Sequence, residues 1–251
     1  MTDLIIDGDI VVYQACAASE KATKWEDGIW TLHTDEWEAK HKAVTHIERV
    51  KAVANNYFDI DKVKVAFSST SNFRKVIYPD YKKNREGKRR PMCIREVVAY
   101  IGGRYSSLIW TNIEADDVMG IYATRDKEVV IYSADKDMAT IPDCWHMTTT
   151  DSKPTKISED AANRNWFKQA LTGDTVDNYK GIKGVGPVKA LRILEGAKTE
   201  EDMWKRVRSA YLKAGHTVDE ALTQTRLARI LREGDYCDYK NEVKLWEPAN
   251  V

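Results

Sequence analysis

Leu4-Ile5-Ile6-Asp7-Gly8-Asp9 stands near the start of the chain, and its reading decides the fold. Three apolar residues make a short buried strand, and two carboxylates astride a glycine mark the turn that follows. Outward from it, residues 36–57 carry Trp37, Val44, Ile47, Val50, Val53, Ala54 and Tyr57 at helical spacing. Residues 63–67 read as a second strand. Pro91 stands where a helix could start, and Ile94, Val97, Val98 and Ile101 carry that helix to a Gly102-Gly103 stop. Residues 107–110 form a third strand candidate, 115–123 a helix, 129–132 a fourth strand and 145–149 a fifth. This alternation predicts a three-layer α/β core with a mostly parallel sheet. From about Ser158 the pattern turns helical, with long stretches at 199–214 and 217–232. The tail, 236–246, reads as a strand or hairpin. The predicted organisation is an α/β core over residues 1–157 and a helical lobe over 158–251.

Composition narrows the class. The chain has 251 residues, enough for a sizeable core, with 43% hydrophobic and 31% charged residues, as in soluble globular proteins. No apolar run approaches the roughly 18 residues of a membrane helix, and no secretory leader is visible. Cys16, Cys93, Cys144 and Cys237 form no CxxC pair, so free thiols in a reducing cytoplasm are expected and a zinc site is not. The 39 basic and 39 acidic residues cancel, which argues against a simple nucleic-acid coat protein. Their distribution matters more: positive charge is dense from Lys82 to Arg90, and negative charge recurs in short paired motifs.

In sheets of this kind ligands bind beyond the carboxyl ends of the strands. Asp7 follows the first predicted strand, Glu114 the third and Asp135 the fourth, so three unconnected acidic motifs fall on one rim. The candidates are Asp7, Asp9, Glu114, Asp116, Asp117, Asp135, Asp137, Asp174 and Asp177. Singly they have ordinary readings: Asp-x-Asp at 135–137 as a turn or helix cap, Glu-x-Asp-Asp at 114–117 as dipole-stabilising acids in a first turn, and Asp174 and Asp177 as loop solvation. Jointly they suit magnesium, which takes oxygen ligands in near-octahedral geometry, and two such ions clamp the attacking and leaving oxygens of an in-line displacement. Carboxylates crowded without cations would repel one another.

Tyr81-Lys82-Lys83-Asn84-Arg85, followed by Gly87-Lys88-Arg89-Arg90, sets one aromatic beside clustered cations, which suits a nucleic-acid strand end as well as a solvated basic loop. Gly181-Ile182-Lys183-Gly184-Val185-Gly186-Pro187 is a glycine-rich hairpin opening a helix at Pro187. Its backbone N–H groups, with Lys183 and Lys189, suit a duplex phosphate.

With these motifs in order, the chain resembles the flap endonuclease/5′-exonuclease superfamily, and within it the short phage-encoded 5′→3′ exonucleases of the T-odd podovirus type. The likeness rests on Ile6-Asp7-Gly8-Asp9, on Val65-Ala66-Phe67 with Phe73-Arg74-Lys75 and Tyr81 to Arg85, and on Glu114-Ala115-Asp116-Asp117-Val118-Met119-Gly120. It continues through Ser133-Ala134-Asp135-Lys136-Asp137, Gly173-Asp174-Thr175-Val176-Asp177-Asn178 and the 181–190 hairpin, and ends at Leu227 to Leu231 and Val243 to Trp246.

The resemblance implies a PIN-like 5′-nuclease core with a short basic arch at about 80–95, and a lobe holding a helix–three-turn–helix element. It implies Asp7, Glu114, Asp116 and Asp117 around a first metal, Asp135 between the metals, and Asp137, Asp174 and Asp177 at a second. Lys82 and Arg85 would contact the scissile phosphate with Tyr81 close by. Lys83, Lys88, Arg89, Arg90, Lys183, Gly184, Gly186 and Lys189 would bind nucleic acid. The implied cofactors are two or more Mg2+ ions, replaceable by Mn2+, and a K+ ion at 181–186. The implied activity is 5′→3′ exonuclease or flap endonuclease cleavage of duplex or flapped DNA, or of RNA in RNA–DNA hybrids. It would serve phage replication, recombination or host DNA breakdown, as a monomer in the host cytoplasm without a membrane partner.

Relatives often carry Ala-Phe-Asp where this chain has Ala66-Phe67-Ser68, so Asp9 either makes up the lost charge or caps a helix. A PIN-type ribonuclease and a non-catalytic DNA-binding descendant are the alternatives. The hairpin speaks against the first and the retained carboxylates against the second.

Overall fold

The computed structural model describes residues 2–125 and 128–249. In chain order the elements are β1 (Thr2–Asp7), α1 (Gly8–Ala17), β2 (Glu20–Lys24), β3 (Trp30–Thr34), α2 (Glu36–Ala54), β4 (Ile60–Phe67), α3 (Phe73–Ile77), α4 (Ile94–Arg104), β5 (Ser106–Ile109), α5 (Ala115–Arg125) and β6 (Val129–Tyr132). There follow β7 (Trp145–Met147), β8 (Thr155–Lys156), α6 (Glu159–Thr172), α7 (Pro187–Ile193), α8 (Glu200–Lys213), α9 (Val218–Leu227), β9 (Tyr236–Cys237) and β10 (Glu242–Val243). Single 3-10 turns occupy Lys83–Arg85 and Lys136–Thr140.

Six strands form one sheet in the order β5-β4-β1-β6-β7-β8, parallel except for β8. β1 lies at the centre, flanked by β4 and β6, which is why its apolar run has no polar alternation. Leu4 and Ile6 face a cluster with α1, α2 and α4, while Ile5 faces the other side with Met119 and Ile121 of α5. Both sheet faces are therefore covered, and the α/β expectation of a mostly parallel sheet holds. A third cluster packs Trp166 and Phe167 of α6 against α7, α8, α9, Tyr81 and Trp246. Among the described residues no helix is long and apolar enough to cross a membrane.

Several boundaries differ from expectation. The helix expected to begin at Pro91 begins at Ile94, because Cys93 takes a left-handed φ of 56° and turns the chain first. It also runs through Gly102-Gly103 to Arg104. The helix expected over 217–232 ends at Leu227. Beyond it the Arg74 guanidinium takes the carbonyls of Leu227 (3.1 Å) and Arg229 (2.5 Å), and Asp117 accepts the Leu231 N–H (3.1 Å). Those bonds replace the helical ladder. Ile230 and Leu231 then lie directly on Gly120 of α5, where a Cβ would sit 2.4 Å from the Leu231 carbonyl oxygen. The β2–β3 ribbon was not anticipated. The tail forms the β9–β10 hairpin.

Candidate active site

The rim forms because β1, β4, β5 and β6 are parallel neighbours, so their carboxyl ends lie side by side. Asp7 ends β1 and caps α1, accepting the Ile10 N–H at 3.0 Å. Ser133, just past β6, donates its hydroxyl to Asp7 at 2.8 Å. Burial, backed by the charges of Asp9 and Asp135, raises Asp7 to about 6 against these two bonds. Asp9 is thus not the cap. It lies in the first turn of α1 and accepts the Ser68 N–H at 3.2 Å. Ser68 in turn accepts the Ala115 N–H at 3.0 Å through its hydroxyl oxygen, satisfying the first donor of α5.

Glu114, Asp116 and Asp117 stand together at the start of α5 yet meet different partners. Asp117 is fully buried. Arg74 grips it through both terminal nitrogens (2.6 and 2.8 Å), and the N–H groups of Glu114 (3.2 Å) and Leu231 (3.1 Å) complete it. A carboxylate has about four acceptor sites, so Asp117 has none left to offer a metal. The sequence set it among the residues that hold or surround a first metal, and in this structure it is buried against Arg74. Asp116 accepts no such set. Burial and the charges of Asp7, Glu114 and Asp135 hold it well above the usual carboxylate range, with Lys82 opposing.

Glu114 is held from the other side. Burial alone would raise it, but Lys82 and Arg74 outweigh that and hold it at about 2. Its carboxylate is ion-paired with Lys82 and hydrogen-bonded by the Tyr81 hydroxyl at 2.8 Å. The same hydroxyl lies 2.8 Å from Asp177, which Lys82 (3.5 Å) and Arg85 (2.5 Å) also reach. Tyr81, Lys82 and Arg85 therefore tie the β5 end of the rim to the 174–177 loop. Lys82 does this from a left-handed φ of 55°, a conformation non-glycine residues enter at a cost.

The remaining acids line the β6 end. Asp135 caps the 136–140 turn, accepting the Asp137 N–H at 2.8 Å. Burial, then the neighbouring Asp135, raise Asp137 to about 6, although Gln169 of α6 donates to it at 2.8 Å. Asp174 is lowered despite its burial, because the N–H groups of Asp177 (3.2 Å) and Val176 (2.7 Å) and Lys136 (3.3 Å) converge on it. Its loop is set by Gly173, at φ +69°, whose α-carbon crosses the Gly181 backbone so closely that a Cβ would lie 2.2 Å from the Gly181 nitrogen.

Among the described residues, no three side chains of His, Cys, Asp or Glu are drawn together at metal-ligand range. The reason lies in the pairings above: Asp117 is spent on Arg74, and Glu114 and Asp177 are held by Tyr81, Lys82 and Arg85. Asp7, Asp116 and Asp137 remain under-paired carboxylates in low-dielectric surroundings, raised by burial and by neighbouring carboxylates, Asp135 beside all three. That surplus of negative charge fits a cation.

The expected nucleic-acid residues are at the surface. Lys83, Lys88, Arg89 and Arg90 are exposed. Lys83 pairs with Asp80 (3.1 Å) and Arg89 with Glu20 (2.7 Å). The segment expected to arch is one 3-10 turn followed by irregular chain. Lys183, Gly184, Gly186 and Lys189 are exposed on the hairpin, with Pro187 opening α7 as expected, although α7 has only seven residues. A cleft of about 850 Å³ lies against this hairpin and includes Ile182, Tyr211, His216 and Gln224 in its walls. Sequence reading missed Arg74, Ser133 and Gln169 as partners of the acids. Arg74 lay in plain view beside Phe73, but nothing in its spacing points to Asp117.

Residues 2–169 match the family described as 5′-3′ exonuclease, N-terminal resolvase-like domain. The exonuclease of Escherichia phage T7 is 29% identical, with 98% of this chain and 93% of that protein covered. The exodeoxyribonuclease of Enterobacteria phage T3 gives the same figures. The fold is shared with the bacteriophage T5 5′-exonuclease solved with bound divalent zinc (TM-score 0.66, 16% identity, 91% of this chain and 89% of that one). It is shared too with the T5 flap endonuclease in a pseudo-enzyme-product complex with DNA and metal ions (TM-score 0.65, 16% identity, 90% and 88%). The chain belongs to the 5′-3′ exonuclease family.

Proposed function

We propose that this member of the 5′-3′ exonuclease family hydrolyses phosphodiester bonds at the 5′ end or 5′ flap of duplex DNA with magnesium, and accepts RNA in RNA–DNA hybrids. The observation that carries the reading is the surplus of under-paired carboxylate on the rim, Asp7, Asp116 and Asp137, with Lys82 beside Asp116 and paired to Glu114 and Asp177, and Arg85 paired to Asp177. Asp7, Glu114, Asp116 and Asp135 would hold one ion, with Asp9 supplying charge near Ser68. Asp135, Asp137, Asp174 and Asp177 would hold the second. Magnesium held by these residues would supply an activated water and positive charge against the leaving 3′-oxygen.

The chain's own groups do the rest. Lys82 and Arg85, already gathered beside the acids, transfer from Asp177 and Glu114 to the scissile phosphate, where planar Arg and compact Lys donors match phosphate oxygens. The Tyr81 hydroxyl keeps Glu114 and Asp177 in register while that exchange occurs. Arg74 and Asp117 position Glu114 from behind. The span from α6 through the 181–186 hairpin to α7 acts as a helix–three-turn–helix grip on the duplex backbone, with K+ at its turn. Residues 158–251 form the DNA-binding lobe on a 1–157 core, working as a monomer in the host cytoplasm during phage DNA metabolism.

The test is cleavage of a 5′-labelled flap duplex. Asp135→Asn and Asp174→Asn lose cleavage in Mg2+ while still binding the duplex in Ca2+. Near-normal cleavage by both variants contradicts the reading, and cutting of single-stranded RNA in preference to flap DNA would turn it toward a ribonuclease.

A further inference from the structure

A cavity of about 350 Å³ lies by the carboxyl ends of β6 and β7, and Asp135 of the acidic rim is one of its walls. Ligands of parallel sheets bind at such ends. Three parts of the chain build the rest. Met138 and Ala139 belong to the turn that Asp135 caps, and the Asn165 amide of α6 holds that turn by donating to the Ala139 carbonyl at 3.2 Å. His146 lies on β7, with Thr155 of β8 paired opposite it in the ladder. Ile157 follows β8; its carbonyl accepts the Asp143 N–H (2.8 Å) and its N–H donates to the Cys144 carbonyl (3.3 Å). The walls are therefore held in place without a ligand, and the volume is within the roughly 300–1,000 Å³ of small-ligand sites.

The chemistry of the lining is divided. Met138, Ala139 and Ile157 are apolar. His146 adds an uncharged ring, since burial pushes its imidazole down to about 4 against a bond to the Ile141 main chain. Its Nε2 is already engaged, 3.1 Å from the Cys144 thiol. The free polar groups are few. Thr148, just past β7, donates its N–H to the Ser152 hydroxyl oxygen at 3.0 Å. Neither its own hydroxyl nor that of Thr155 has a hydrogen-bond partner among the described residues. Lys136 and Lys153 complete the lining, both exposed. Apolar walls with a few unpaired donors and acceptors and cations at the surface suit a flat heterocycle with polar edges joined to a phosphate. Asp135 sets the orientation. Its carboxylate repels a bare phosphate and admits one only with a cation between them, so the phosphate belongs on the rim side and the heterocycle in the cavity.

We propose that this cavity is the subsite for the base of the nucleotide whose phosphate lies at the rim, with the Thr148 and Thr155 hydroxyls against the base edge. This rests on the reading that the rim takes nucleic-acid phosphates through divalent metal, and it adds where the adjoining base lies.

The test measures equilibrium binding of thymidine 5′-monophosphate and of 2-deoxyribose 5-phosphate, which lacks the base, to the protein in Ca2+. The wild type binds the nucleotide about tenfold more tightly. Two variants fill the cavity independently, Ala139→Phe from the turn and Thr155→Trp from an exposed position of β8. Each brings the nucleotide down to the affinity of the sugar phosphate and leaves the sugar phosphate unchanged, and the thermal midpoint shows that the variant compared is folded. Equal affinities of the wild type for the two probes overturn the proposal, as does failure of the nucleotide to bind at millimolar concentration. A folded variant of each kind that keeps the wild-type preference also overturns it, as do equal losses of both probes. Cleavage of a 5′-flap duplex by the wild type is read separately in Mg2+. A preference for the nucleotide without cleavage leaves the subsite standing and removes the nuclease reading, whereas cleavage without the preference removes the subsite alone.

Discussion

Two acidic regions meet at the start of α5 and are built in opposite ways. Around Asp117 every acceptor is used: Arg74 binds it twice, two main-chain N–H groups complete it, and the guanidinium reaches on to two carbonyls of the 227–231 segment. Around Asp116, one residue earlier, three acids outweigh the single cation Lys82, and its carboxyl is pushed up by burial and by Asp7. The first region is finished, and ties the C-terminal segment to the core. The second is left short of positive charge. A chain folded for stability alone would not bury acids this way, and under-satisfied groups of this kind collect at functional sites.

The sharpest way to break this contrast is Asp116→Asn. Cleavage should fall about a thousandfold or more, since a catalytic cation is worth several kcal/mol and each 1.4 kcal/mol is about tenfold. The thermal midpoint in EDTA should hold or rise, because a repelled charge has been removed. A fall in both quantities would make Asp116 another anchor. On the finished side, Arg74→Ala should cost about 3–5 kcal/mol in chemical denaturation, the penalty of leaving a buried carboxylate unpaired. Arg74→Lys should recover only part of that, having no planar fork. An Arg74→Ala protein with wild-type stability would deny the clamp.

How much of this was legible beforehand divides along the same line. The strand ends carrying Asp7, Glu114 and Asp135 could be read from short apolar runs, because period and rim position are local properties. That Asp116 and Asp117 differ could not, since the difference is made by Arg74, 43 residues away from Asp117 in sequence. The end of α9 was misplaced for the same reason: helical spacing persists to Leu231, and only contact with Arg74 and Gly120 pulls the chain straight. The ribbon went unseen because its strands are exposed on both faces and show no apolar alternation. Ser68 is an intermediate case. Its departure from the family pattern was visible, but its bond to Ala115 and its contact with Asp9 were not.

Two smaller effects sharpen the comparison further. Gly120→Ala should cost about 2 kcal/mol by lifting residues 230 and 231 off α5, measured by denaturation, and cleavage should fall only as far as stability does. A neutral result would mean the segment yields freely. On the unfinished side, Asp7 sits at about 6 when folded, and near 4 when unfolded. The folded protein then holds a proton that the unfolded chain has released. Without metal, stability should fall by about 1–2 kcal/mol as pH rises from about 4 to about 6. Asp7→Asn should flatten that slope, and an unchanged slope would locate the under-paired charge elsewhere.

Anomalous scattering from crystals soaked in Mn2+ tests the account most directly. It predicts density among Asp7, Glu114, Asp116 and Asp135, and again among Asp135, Asp137, Asp174 and Asp177, with Lys82 withdrawn from Glu114 and Asp117 still in the grip of Arg74. Manganese bound to Asp117, or none near Asp116, would contradict it.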